Sequence, residues 1–256
     1  MTGKGNYQVI SFDLDGTLTE SRQPILQDMC VLLSQLSQKV LVVIISGSSF
    51  KNLQVQLGLF LNGGQKEIFK NILLMPANGS ETFEYDLSAQ KWQLTTFEPM
   101  SDEIKKKVIQ AFEKVIKLKD FDIPSKSVGP KIEDRITQVS FAALGMDDPI
   151  EEKETWDPNE IKRKKIIEYL APSLPEVSLF IAGTTTIDVL PKGTTKGVML
   201  EKMLEKRGLK RSDLLFIGDA LYEGGNDYEV AREGFTTIKT SGPTETALII
   251  EKLLNK

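Results

Sequence analysis

Two kinds of apolar pattern run along this chain. Short, mainly apolar runs occur at Val9-Ile10-Ser11-Phe12, Val40–Ile45 and Ile72–Met75. Runs of this length, rich in Val, Ile and Leu, are expected of strands buried on both faces. Between them, Gln23–Leu36 and Phe50–Leu59 carry helical spacing, the second after the turn and helix-start signal Ser46-Gly47-Ser48-Ser49. Strand, helix, strand, helix, strand is the order of a parallel sheet with right-handed crossovers.

The rhythm then changes. Glu81–Phe97 reads as a hairpin with apolar positions at Phe83, Tyr85, Trp92 and Leu94. Ile104, Val108, Ala111, Phe112 and Val115 recur at helical spacing. Ile136–Leu144 reads as a strand and Pro158–Leu170 as a helix, while Val177–Ala182 and Thr185–Leu190 are strand-like runs around Gly183. The parallel rhythm returns with a helix at Thr195–Arg207, a buried strand at Leu214–Ile217, a short helix at Asn226–Glu233, a short strand at Thr236–Ile238 and a last helix at Pro243–Leu254. The expected architecture is α/β, a Rossmann-like parallel-sheet core over residues 1–80 and 190–256, interrupted by an α+β insert over 81–189.

Composition narrows the chemistry more than the fold. The chain has no histidine, which removes histidine bases, histidine metal ligands and every Ser-His or Cys-His pair. Carboxylates, Lys, Arg, hydroxyls and backbone must do the work. With one cysteine, Cys30, no intrachain disulfide exists, and its apolar surroundings read as core. A net charge of −4 gives no general attraction to nucleic acid. The basic run Lys162–Lys165 lies among Ile161, Ile166, Ile167 and Leu170, the pattern of a helix with a solvated basic face. Met1–Gln8 is polar, without an apolar signal region, and no window reaches transmembrane length, so no membrane partner and a cytoplasmic location are expected.

The strongest chemical signal is Asp13-Leu14-Asp15-Gly16-Thr17-Leu18-Thr19, two carboxylates directly after a buried strand. Ligands of open α/β sheets bind at the carboxyl ends of the strands. A carboxylate there can attack phosphorus, and a second can protonate the leaving oxygen and later activate water. An Asp-Gly turn with solvated acids is the competing reading. Three further strand ends favour the chemistry. Ser46 can hydrogen-bond a phosphoryl oxygen or cap the next helix. Lys196 falls at a helix start, against the helix dipole, a placement that a partner such as Asp13 with bound phosphate would explain. Asp219 in Gly218-Asp219-Ala220, and Asp227 in Gly224-Gly225-Asn226-Asp227, suit a hard cation such as Mg²⁺.

In order and spacing these segments resemble the four motifs of the haloacid dehalogenase superfamily, and the insert resembles its subclass IIB cap. Asp13–Ile25 and Gly218–Asp227 are similar to the first and last motifs of the eukaryotic-type phosphomannomutases of that subclass. The resemblance implies an aspartyl-phosphate on Asp13, acid/base work by Asp15, and phosphate binding by Ser46, with Gly47, and by Lys196. It implies Mg²⁺ held by Asp13, the backbone carbonyl of Asp15 and Asp219, with Asp227 supporting. It further implies a phosphorylated sugar as partner, met by Arg22, Arg135 and the Thr186-Ile187-Asp188 segment, and an insert that selects the substrate. A homodimer is left open.

One departure bears on the reaction. Where the mutases carry a Val-Ser-Pro-x-Gly-Arg stretch, this chain ends Leu144-Gly145-Met146. Lys131 and Lys192 are substitutes of the same charge, but lysine lacks arginine's bidentate fork. A weaker grip on a bisphosphate would let water compete, which places a phosphosugar phosphohydrolase first and a mannose 1-phosphate/mannose 6-phosphate mutase second. A catalytically inactive binding protein comes third, opposed by the intact Asp13, Asp15, Lys196 and Asp219.

Overall fold

In the computed structural model, which describes residues 7–63, 66–223 and 225–255, the three apolar runs are inner strands of one sheet. Strands β1 (Val9–Phe12), β2 (Leu41–Ile45) and β3 (Ile72–Met75) run parallel. They are joined by α1 (Gln27–Ser37), then by α2 (Phe50–Gln56) and α3 (Gly58–Leu61). The hairpin β4 (Glu81–Asp86) and β5 (Lys91–Phe97) then pairs antiparallel with β3. It therefore extends the core sheet, although the sequence placed it in the insert. The reason is aromatic packing: Phe83 stacks on Phe50 at 3.6 Å between centroids, and Tyr85 and Trp92 meet Phe69.

Residues 98–194 make a compact unit of their own, so the expected boundaries at 80 and 190 move to 97 and 195. Its elements are α4 (Asp102–Lys117), β6 (Ile132–Asp134), β7 (Val139–Ala142), α5 (Ile150–Trp156), α6 (Ile161–Leu170), β8 (Val177–Ala182) and β9 (Thr186–Pro191). The strands form an antiparallel sheet in the order β6-β7-β9-β8. Val139, Phe141, Ile187 and Val189 share a core with Val108, Phe112 and Val115 of α4. By the two-residue period, Ser140, Thr186 and Asp188 take the other face. The basic run on α6 is not uniformly solvated. Arg163 is buried, donates from Nε to Asp157 Oδ2 at 2.9 Å and donates from Nη1 to the carbonyls of Ala182 and Gly183.

The first unit resumes with α7 (Lys196–Lys206), β10 (Leu214–Gly218), α8 (Tyr228–Arg232), β11 (Thr236–Lys239) and α9 (Pro243–Leu254). The completed sheet has the order β11-β10-β1-β2-β3-β4-β5. One face packs Ile10, Phe12, Val42, Ile44 and Leu74 against α1 and α9. The other packs Val9, Val43, Ile45, Met75 and Phe216 against Met199, Leu200 and Met203 of α7. Cys30 is buried within the first of these layers, as expected. Among the described residues no helix is long and apolar enough to cross a membrane. Residues 1–6 of the polar N-terminal stretch, and Gly224 of the last motif, lie outside the described residues.

Candidate active site

Because β10, β1, β2 and β3 are parallel neighbours, the loops after them open at one edge of the sheet. Asp219, Asp13, Ser46 and Asn78 stand in those loops. Asp13 is tied to the sheet by its own N–H, which donates to the Ile217 carbonyl at 3.0 Å. Lys196 begins α7, whose N-cap is Thr195, with the Thr195 hydroxyl accepting from the Val198 N–H. Its ammonium donates to Asp13 Oδ1 at 2.5 Å and to Asp227 Oδ1 at 2.7 Å, with all three side chains buried. The pairing of Lys196 with Asp13, inferred from an awkward lysine at a helix start, is thus reproduced, and Asp227 is a second partner. Asp227 is fixed in turn by Oδ2, which accepts from the Ala220 N–H at 3.2 Å.

Asp15 stands apart from this buried group. Its Oδ1 accepts from Gln56 Nε2 at 2.8 Å and from the backbone N–H of Arg22 at 2.6 Å. Both of these bonds fall on one oxygen. Arg22 makes its contact through the main chain, from a left-handed backbone (φ 59°). Gln56 is a site residue the sequence reading missed. The signal was a polar side chain at the apolar helical spacing of Leu53, Leu57 and Phe60. Gly16 adopts φ 77°, and a Cβ there would lie 2.6 Å from Asp219 Oδ2, so the turn needs glycine both for conformation and for room. Thr17 Oγ1 donates to Asp219 Oδ1 at 3.3 Å.

Ser46 is buried after β2, and its hydroxyl oxygen accepts from the Ser48 N–H at 3.1 Å. The N-cap of α2 is Ser49, whose hydroxyl accepts from the Asn52 N–H. The capping role that competed for Ser46 is therefore filled by another residue. Gly47 lies beside Asn78, whose Oδ1 would be 3.4 Å from a Cβ at Gly47.

Electrostatics make the buried cluster unusual. Asp13, Asp219 and Asp227 each offer a carboxylate oxygen within 4.8 Å of the others. Burial above all, and then the Asp227 charge, push the Asp13 carboxyl up to about 7 against the pull of Lys196. Burial and Asp227 likewise raise Asp219. Burial opposes the Lys196 charge, but Asp13 and Asp227 outweigh it and hold the ammonium above the ordinary lysine value. Three acids against one ammonium leave two negative charges in excess when all are ionised. That deficit, met by oxygen donors alone, suits one divalent hard cation such as Mg²⁺. The Asp15 side chain is not in this group.

In the second unit, Arg135 donates from Nε and Nη2 to Glu133 Oε2 at 2.9 and 2.6 Å. Asp188 is buried opposite Ser140, whose hydroxyl donates to Asp188 Oδ1 at 2.5 Å; Thr186 precedes it on the same strand face. Burial raises the Asp188 carboxyl, and the Ser140 bond opposes that rise. Lys131 donates to the Ala143 and Leu144 carbonyls at 2.7 and 2.5 Å.

The comparisons with known proteins converge. Residues 29–256 match the family model described as eukaryotic phosphomannomutase. Phosphomannomutase 1 of Dictyostelium discoideum is 28% identical over 252 residues, covering 96% of each chain. The phosphomannomutase of Schizosaccharomyces pombe is 27% identical over 257 residues, covering 96% of this chain and 94% of the relative. In structure, a haloacid dehalogenase-like hydrolase from Bacteroides thetaiotaomicron aligns with a TM-score of 0.63 at 15% identity, over 96% of this chain and 99% of the other. The IMP-nucleotidase of Plasmodium falciparum aligns at 0.66 and 18%, over 98% of this chain and 69% of the other. The structural neighbours establish the haloacid dehalogenase-like fold. The named sequence relatives favour the mutase reading over the hydrolase reading that the cap residues had placed first. With the family model spanning most of its length, this chain belongs to the eukaryotic phosphomannomutase family.

Proposed function

We propose that this protein is a sugar phosphomutase that interconverts mannose 1-phosphate and mannose 6-phosphate through a phosphoryl group carried on Asp13. The observation that carries the chemistry is the buried ammonium of Lys196 at 2.5 Å from Asp13 Oδ1, beside two further acids. Asp13 attacks phosphorus of a sugar bisphosphate, the P–O bond to the sugar breaks, and Asp15 gives its proton to the departing oxygen. Asp15 then takes the proton from the other hydroxyl of a sugar monophosphate as that oxygen attacks phosphorus and frees Asp13. Lys196 neutralises phosphoryl charge and fixes the attacking carboxylate. Ser46 and Gly47 bind phosphoryl oxygens. Mg²⁺, when bound at Asp13, Asp219 and the Asp15 carbonyl, with Asp227 in support, supplies charge neutralisation for the transferred group. Arg135, Thr186 and Asp188 serve sugar recognition in the second unit.

A second reading, a phosphosugar phosphohydrolase, is favoured by one set of observations. Met146 replaces an arginine, Lys131 is spent on backbone carbonyls, and Arg135 is already paired with Glu133. Incubation with Mg²⁺ and mannose 1-phosphate, with and without a catalytic amount of a hexose 1,6-bisphosphate, separates the two. Bisphosphate-dependent mannose 6-phosphate is the mutase result; free phosphate without it is the hydrolase result.

A further inference from the structure

We infer that Asn78 is a further phosphoryl-contacting residue, its side-chain amide donating a hydrogen bond at the edge of the Ser46–Gly47 loop. The inference rests on reading the strand ends as a phosphoryl site. Three successive residues after β3, Ala77, Asn78 and Gly79, have positive φ (50°, 54° and 88°). Backbone conformations of this kind, in two residues that are not glycine, persist only where the surroundings enforce them. Here the enforcement is visible. The Ala77 N–H donates to the Ser48 carbonyl and the Asn78 N–H to the Ser46 carbonyl, both at 2.9 Å. On the other side, a Cβ at Gly79 would lie 2.7 Å from Met199 Cβ, on the helix that carries Lys196. The turn is thus wedged between the serine loop and the lysine helix.

The side chain it holds there is only 8% exposed, yet no hydrogen bond to the Asn78 amide is formed among the described residues. Neither amide atom is fully buried without a partner, so the amide is reachable from solvent, and a ligand oxygen can take the place of water there. Its Oδ1 points toward Gly47, which leaves Nδ2 as a donor beside the loop. A phosphoryl oxygen is the acceptor that this edge of the sheet is built to receive. The competing explanation, that asparagine is present merely because it tolerates a left-handed backbone, is separable by substitution.

The test measures thermal stabilisation by orthovanadate, a phosphate mimic, with Mg²⁺ present. Asn78→Gly keeps the backbone and removes the amide; Asn78→Asp keeps the shape and replaces the donor with an anion. Both are expected to melt near wild type without vanadate. For Asn78→Gly the vanadate concentration giving half the effect should rise roughly tenfold to a hundredfold, the worth of one hydrogen bond to a charged group. Asn78→Asp should lose the stabilisation entirely, and it carries the test if the glycine variant fails to fold. Variants with the full wild-type vanadate response would overturn the inference, as would a wild-type protein with no response. Intact vanadate binding without turnover of mannose 1-phosphate would sink the mutase reading alone.

Discussion

Two buried cations, one in each unit, show how differently the same interaction can be used. Arg163 in the insert faces one carboxylate, Asp157, and spends its remaining donors on backbone carbonyls. Burial alone would raise Asp157, but hydrogen bonds from Arg163 and from the Lys162 and Arg163 N–H groups hold it below the ordinary carboxylate range. That pair is neutral and closed. Lys196 in the first unit faces two carboxylates, with Asp219 as a third acid in reach. That group is negative and open to a cation. Charge balance, not burial, distinguishes the pair that holds a fold from the cluster that can do chemistry.

The sharpest break of this comparison is Asp13→Asn. Turnover should fall roughly 10⁵-fold or more, in line with removal of a nucleophile. Because the change relieves excess negative charge, the metal-free melting temperature should hold or rise, and a collapse in melting would mean Asp13 is structural. The reverse pattern is expected of Arg163→Met. It leaves Asp157 buried and unpaired and should cost about 3–5 kcal/mol in denaturant titration. The double change Arg163→Met with Asp157→Leu should recover most of that loss, and phosphoryl-transfer kinetics of the folded protein should stay near wild type.

Gln56→Met tests the arm of the site that touches Asp15. Losing one of two bonds to Oδ1 should slow turnover by roughly tenfold to a hundredfold with little change in KM. The smallest effect concerns pH. With Asp13 pushed up to about 7 in the folded metal-free protein, against an ordinary value of 3.8, the folded state keeps a proton that the unfolded chain has released. This contribution is present below pH 3.8 and is lost as pH rises through 7. Mg²⁺ should therefore raise the melting temperature more at pH 8 than at pH 6, by a few degrees; equal shifts would mean that Asp13 does not compete between proton and metal.

Much of this was legible from residue order alone. The strands β1, β2 and β3 read directly, since runs this apolar, broken only by Ser11, admit little but a doubly covered strand. Once those were placed, Asp13, Ser46, Lys196 and Asp219 followed as strand-end or helix-start residues. Other features resisted for physical reasons. Alternation in Phe83, Tyr85 and Trp92 announces a half-covered strand but not which sheet it joins, so the hairpin was assigned to the wrong unit. The basic run of α6 misled at Arg163 because a charge pattern cannot report a buried partner such as Asp157. Gln56 and Asn78 were passed over because their importance lies in neighbours distant in sequence.

The bond between Lys196 and Asp13 joins residues 183 positions apart, and β10 closes over β1 from an equally remote stretch. During synthesis, β1 and β2 can pair early, but the other flank of β1 stays a bare apolar edge until Gly218 has emerged. At a translation rate of roughly 5–20 residues per second, that interval lasts on the order of ten seconds or more. An unpaired edge of this kind is a template for association with another chain. The same topology that gathers four strand ends into one site thus leaves an open strand edge on the newborn chain until most of it has been made.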